Sequence, residues 1–253
     1  MGMDMPRAPL DQSQIAASLS QYWRVSVVDL TTSTQEDLLK KVSSRQAGNG
    51  DVIVADFQSA GRGRLDRTFI APPSTALLFS LYLNPMRPRS EWGFLPLLAG
   101  LSVAEALNQI NSMVLIKWPN DLLINENKVG GIISTIEGDG IVIGIGINVS
   151  MSSKQLPEPT ATSLALEGFS ILDRNTLLSR ILTVLEGNFG QWDKGLSFSD
   201  QYLALSATLG YNVRIESPKG QVILSKAISI DEQGQLHLED GKIVSVGDVI
   251  HLR

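Results

Sequence analysis

Asp51-Val52-Ile53-Val54-Ala55-Asp56-Phe57-Gln58-Ser59-Ala60-Gly61-Arg62-Gly63-Arg64-Leu65-Asp66-Arg67 reads as a strand that runs directly into a basic loop. The first eight residues form a β-branched and apolar run of strand length. The next nine cannot continue it, because Gly weakens helix and strand interiors and Arg is rarely buried unless paired. A loop that leaves a sheet has a fixed base. Its glycines expose backbone N–H groups to a ligand, and its arginine forks match carboxylate and phosphate oxygens bidentately. The stretch therefore points to an anionic guest. Two other readings stay open: a solvated basic turn, and an Arg-Gly segment that binds nucleic acid, although only Phe57 and Phe69 lie close enough to stack bases.

Composition narrows these choices. The chain has 253 residues, 43% hydrophobic and 19% charged, an ordinary globular balance with room for one or two domains. Its 26 acidic against 21 basic residues argue against an extended basic surface for nucleic acid. The absence of cysteine excludes disulfides, thiolate metal sites and thiol nucleophiles, and is compatible with a reducing cytosol. The two histidines, His237 and His251, both lie near the C-terminus, which argues against a histidine triad or a multi-histidine metal site. Residues 1–7 have no signal-peptide core, and Pro6 stands where a myristoylation signal needs Ser or Thr, so this start is expected to be disordered. Residues 94–107 are interrupted by Ser102 and Glu105 and fall short of the ~20 residues of a membrane span. A soluble, cytoplasmic protein with no membrane partner is expected.

Upstream of the quoted stretch, residues 11–22 have the spacing of a short helix and residues 24–30 read as a strand. In Thr31-Thr32-Ser33-Thr34-Gln35-Glu36, Ser33 and Glu36 fit a Ser-x-x-Glu capping box that opens a helix to about residue 45. The same helix start could offer its free N–H donors to a polar ligand, and nothing local separates the two uses. Downstream, residues 76–83 read as a buried strand. Residues 90–108 read as the longest helix, apolar nearly all round and so packed on the sheet.

Val114-Leu115-Ile116-Lys117-Trp118-Pro119-Asn120-Asp121 delivers a lysine and an aromatic into a Pro-Asn-Asp break. Such a break is either a solvated turn or a site where Asp121 supplies one hard oxygen to Mg²⁺ and Asn120 a second polar anchor. Strands at 122–124, 128–136 and 141–149 follow in hairpin form, with glycines repeated inside them. Such glycines mark bulges or places where a ligand lies against the backbone. Lys128, ahead of Gly130-Gly131, is either solvated or aimed at that ligand. Asp173 caps a helix to about residue 189, and another helix spans 199–205. Beyond Gly210 come short alternating strands at 213–215, 221–230, 236–238 and 249–252, separated by turns such as Ser217-Pro218-Lys219-Gly220. They suggest a small antiparallel barrel, and hence a division into domains 1–205 and 206–253.

Gly61-Arg62-Gly63-Arg64 after a strand, Lys117-Trp118-Pro119-Asn120-Asp121, Lys128-Val129-Gly130-Gly131-Ile132 and Gly144-Ile145-Gly146-Ile147-Asn148, in this order and spacing, resemble the biotin protein ligase family. The resemblance runs from about residue 27 to the C-terminus. It implies an α+β fold: a mixed β-sheet flanked by helices, like that of class II aminoacyl-tRNA synthetases, with a small C-terminal SH3-like β-barrel.

It also implies an ATP-dependent, AMP-forming ligase that makes biotinyl-5′-AMP and passes biotin to a lysine of a biotin carboxyl carrier protein. Biotin and ATP would be substrates and Mg²⁺ the metal, with no tightly bound prosthetic group. By the same resemblance, biotin would meet Ser33, Thr34, Gln35, Gln58, Arg62, Gly63, Arg64, Lys128 and Gly130. ATP and the adenylate would meet Arg62, Arg64, Arg67, Trp118, Asn120, Lys128 and Asn148, with Asp121 on the metal. Arg62, Arg64 and Lys128 would be catalytic. Asp66 stands where the family's loop commonly has glycine, and it could pair with Arg67 or Arg64.

The chemistry suits these residue types. Adenylation presses a carboxylate against the α-phosphate of ATP, two anions that repel, so it needs fixed cations rather than a nucleophilic side chain. Some members of the family carry an N-terminal DNA-binding domain. Only about 25 residues precede the first strand here, so a monofunctional ligase with no DNA partner is expected. A homodimer through an exposed strand edge is a further expectation. The rival readings are a lipoate-protein ligase and a non-enzymatic module that binds anions or nucleic acid.

Overall fold

Seven strands make the main sheet: β1 (Arg24–Thr31), β2 (Asp51–Gln58), β3 (Ala76–Leu83), β4 (Leu115–Lys117), β5 (Asp121–Ile124), β6 (Asn127–Glu137) and β7 (Gly140–Asn148). Their order is β1-β2-β3-β7-β6-β5-β4, with β1 parallel to β2 and the remaining pairs antiparallel. Among the described residues five α-helices accompany it: α1 (Gln12–Ala17), α2 (Thr34–Ser43), α3 (Leu95–Asn108), α4 (Arg174–Trp192) and α5 (Ser199–Ala204). The computed structural model describes residues 7–64, 67–111, 114–216 and 221–252. The expectations for residues 1–6, for Asp66 and for the Ser217-Pro218-Lys219-Gly220 turn lie outside the described residues.

Side chains alternate between the two faces of a strand, and this alternation decides where the site lies. Ile141, Ile143, Ile145 and Ile147 of β7 join Leu77, Phe79, Leu81 and Leu83 of β3 in the main core, together with buried residues of α1, α3 and α4. On the opposite face, Leu38 and Val42 of α2 cover Ile53, Tyr82 and Val142. Next to that small cluster β7 offers Gly144 and Gly146, so this face has room where the other has isoleucine.

The expected helix over residues 90–108 is two elements. A 3-10 helix spans Arg89–Phe94 and α3 begins at Leu95. Pro96 is the reason. It has no N–H and its ring clashes with the carbonyl four residues back, so an α-helix tolerates it only in the first turn. The longest helix among the described residues is α4, whose N-cap Asp173 accepts a 2.8 Å bond from the Thr176 N–H.

The C-terminal strands β8 (Asn212–Glu216), β9 (Val222–Ile230), β10 (Leu236–Leu238), β11 (Ile243–Val244) and β12 (Asp248–His251) form a second, antiparallel sheet in the order β11-β10-β9-β8-β12. Its inner residues Val213, Ile215, Leu236 and Val249 belong to the same core as the main sheet. Backbone bonds of Ile116 to Leu205 and Ala207, both 2.8 Å, stitch β4 to the segment that leads into it. No helix among the described residues is long and apolar enough to cross a membrane.

Candidate active site

On the glycine face of the main sheet lies a cleft of about 810 Å³. Its walls come from the start of α2, the Arg-Gly loop, the turn between β4 and β5, the start of β6, and the β8–β12 edge of the second sheet. Ser33 occupies the N-cap position of α2 but makes no capping bond. Gln58, at the end of β2, does that work: its Oε1 accepts from the Thr34 N–H at 2.7 Å and from Thr34 Oγ1 at 2.9 Å. Thr34 Oγ1 also bonds Ser80 Oγ at 2.8 Å. The capping-box expectation is thus corrected. Glu36 forms an ion pair with Arg62, because a charge-assisted bond to a guanidinium is stronger than one to a neutral amide.

Deeper in, Gln35 Nε2 donates to the Val142 carbonyl at 3.1 Å, while Gln35 Oε1 is buried with no partner. A buried acceptor left unpaired costs about 1–3 kcal/mol, so a ligand N–H at this point would be favoured. The floor is glycine where Gln35 and Phe69 lie against it. A Cβ on Gly144 would lie 2.6 Å from Gln35 Oε1, and one on Gly146 would lie 2.9 Å from the Phe69 ring.

The loop brings three guanidiniums to the mouth of the cleft. Its backbone closes through Gly63 N–H to Arg67 C=O at 2.7 Å and Phe69 N–H to Gly61 C=O at 2.9 Å. Arg62 pairs with Glu36, Arg64 Nη1 donates to Asn120 Oδ1 at 3.1 Å, and Arg67 pairs with Asp248 of β12. Burial lowers the Arg64 guanidinium from its ordinary value, and the Asp248 and Asp121 carboxylates oppose that shift. Asn120 is itself oriented, donating from Nδ2 to the Ile132 carbonyl at 3.1 Å. Across the cleft, Lys128 Nζ lies 2.6 Å from Asp121 Oδ1. Trp118 is held by both nitrogens: its backbone N–H donates to Thr208 Oγ1 and its indole N–H to the Gly234 carbonyl, each at 3.0 Å.

The cleft therefore gathers Ser33, Thr34, Gln35, Gln58, Arg62, Gly63, Arg64, Arg67, Trp118, Asn120, Asp121 and Lys128. Two expected residues do not line it. Gly130 faces the next strand, where a Cβ would meet the Gly146 carbonyl at 2.6 Å. Asn148 is buried behind the cleft and donates to the Thr162 carbonyl at 2.9 Å. The sequence reading missed Phe69 as a wall, Ser80, and the contributions of Glu216, Asp248 and Ile250. From sequence Phe69 reads only as an aromatic close enough to the loop to stack a base. Asp248 sits in a Val-Gly-Asp turn that carries no signal of its partner 181 residues earlier.

Comparisons with known proteins show the family. The signature of the Biotin/lipoate A/B protein ligase family matches residues 27–152. A biotin–[acetyl-CoA-carboxylase] ligase of Mycobacterium tuberculosis is 36% identical, over 99% of this chain and 98% of its own length. This chain belongs to the biotin protein ligase family. The bifunctional ligase/repressor BirA of Escherichia coli is 31% identical, over 90% of this chain and 74% of its own length. The structure of the biotin protein ligase of Aquifex aeolicus in complex with biotin and ATP superposes with a TM-score of 0.76 at 29% identity, covering 91% of this chain and 99% of that one.

Proposed function

We propose that this chain activates biotin with ATP to biotinyl-5′-AMP and transfers the biotinyl group to a lysine of a biotin carboxyl carrier protein. The observation that carries this reading is the convergence of Arg62, Arg64, Arg67 and Lys128 on one cleft that is also lined by the uncharged Ser33, Thr34, Gln35 and Ser80. A ligand with a polar, uncharged head and a carboxylate fits that lining, and a ureido ring with an acid side chain has this form. The cations screen the repulsion as the carboxylate oxygen attacks the α-phosphate and pyrophosphate leaves. The loop shields the mixed anhydride from water. The amine of the acceptor lysine then attacks the acyl carbon, an amide forms, and AMP leaves.

Among the described residues no group of three or more His, Cys, Asp or Glu is placed to hold a metal, so a protein-only cage is not the model for Mg²⁺ here. Asp121, on the cleft wall beside Lys128, fits the usual Mg²⁺ arrangement of one or two carboxylates completed by phosphates and water. The ion would neutralise charge on the triphosphate. The proposal also places the reaction in the cytoplasm and allows a homodimer through the edge strand β1, which light scattering would test.

Pyrophosphate exchange into ATP, run with biotin and with lipoate, tests the first half-reaction. Biotin-dependent exchange is expected, and exchange with lipoate alone would assign the chain to the other branch of the family. Exchange with neither acid would favour the binding-module reading.

A further inference from the structure

Lys128 owes its place to a network outside the cleft. Its backbone N–H donates to the Thr160 carbonyl and its own carbonyl accepts from the Thr162 N–H, each at 2.8 Å, so the loop before α4 runs beside it as an extra strand. On its other side β5 turns into β6 through Asn125 and Glu126, both with positive φ (49° and 66°). One side chain joins these two supports. Glu167 accepts from Thr162 Oγ1 at 2.6 Å and from Asn125 Nδ2 at 2.8 Å. Thr162 is pinned again from below, where the buried Asn148 donates to its carbonyl at 2.9 Å.

We infer that Glu167 and Asn148 are positioning residues for Lys128: Glu167 staples together the two segments that fix the lysine's backbone, and Asn148 holds Thr162 in one of them. The inference rests on reading Lys128 as the lysine of adenylation. The direction of the effect follows from geometry: a group that must meet both a carboxylate and an α-phosphate loses rate steeply with displacements of about an ångström.

The test uses the full chain. In biotin-dependent pyrophosphate exchange, Glu167→Ala is expected to lower kcat about tenfold while the KM for biotin stays within about twofold. Glu167→Gln, which keeps one acceptor oxygen, is expected to restore most of the loss. In a Lys128→Ala background, Glu167→Ala should cause no further loss, because the two act as a unit. Backbone amide exchange at Lys128 and Thr162 should speed up about tenfold in Glu167→Ala, a readout independent of turnover. Asn148→Ala should behave alike, and Glu167, which is half-buried, carries the test if that variant fails to fold. Equal losses in both backgrounds, an unchanged kcat, or unchanged amide exchange would each overturn the inference. A wild-type chain without biotin-dependent exchange would instead overturn the ligase reading, leaving the amide measurement to judge the network.

Discussion

The cleft takes its positive charge from two regions that are held in different ways. Arg62 and Arg67 are tied by side-chain pairs at the surface: their side chains are 62% and 67% exposed, and their partners Glu36 and Asp248 belong to different elements, α2 and β12. Exposed pairs of this kind contribute about 0–1 kcal/mol each and are screened by salt. Lys128 instead sits in a strand with neighbours on both sides, and a buried network backs it. A guanidinium held by an exposed side-chain pair can exchange that partner for an incoming anion, and charge on a braced strand can wait for it. Adenylation uses both, since a site that is closed beforehand admits no substrate and one that is loose throughout does not orient it.

The largest expected effect breaks the rigid side. Lys128→Ala should lower kcat for biotin-dependent pyrophosphate exchange by about 10²–10³-fold, with thermal unfolding little changed because the backbone bonds at residue 128 do not need the side chain. Next, Gly146→Ala sharpens the comparison at the floor both regions face. Its Cβ would lie 2.9 Å from the Phe69 ring, which must shift away. Overpacking of that kind should raise the KM for biotin about tenfold.

The surface-paired side should respond more weakly. Asp248→Asn removes the carboxylate that anchors Arg67 and should change stability by less than about 1 kcal/mol. That difference should vanish in high salt, which denaturant midpoints at two ionic strengths would check. Glu36→Gln should be milder still, within about 0.5 kcal/mol, because it leaves the Gln58 cap of α2 in place. A large loss of stability in either variant would mean that the loop is braced as firmly as Lys128.

How much of this the sequence already carried depends on the range of the interactions involved. The strands at 51–58 and 76–83 have the bounds expected from their β-branched and apolar runs, because local pattern and burial agree there. The Arg-Gly loop, the Asn120-Asp121 turn and Lys128 could be named as site elements because glycine, proline and charge interrupt strands in ways that packing alone does not call for. The helix break at Pro96 was also legible in principle, and it was lost to the apolar run around it. The rest was not local. Glu36 reads as a capping residue until Arg62 is beside it, the Asn148 bond to Thr162 needs the loop before α4 in place, and the Asp248 contact needs the second sheet to be docked. Each depends on residues far apart in the chain, which periodicity and spacing do not encode.

Hydrogen exchange, with and without biotin and ATP, addresses the contrast most directly. The account predicts that the amides of Gly63 and Phe69, hydrogen-bonded at the surface, exchange faster in the free protein than those of Lys128 and Thr162 and slow further when both ligands are bound, while the amides of Lys128 and Thr162 are protected throughout. Strong protection of the loop without ligand, or exchange at Lys128 as fast as in the loop, would contradict it.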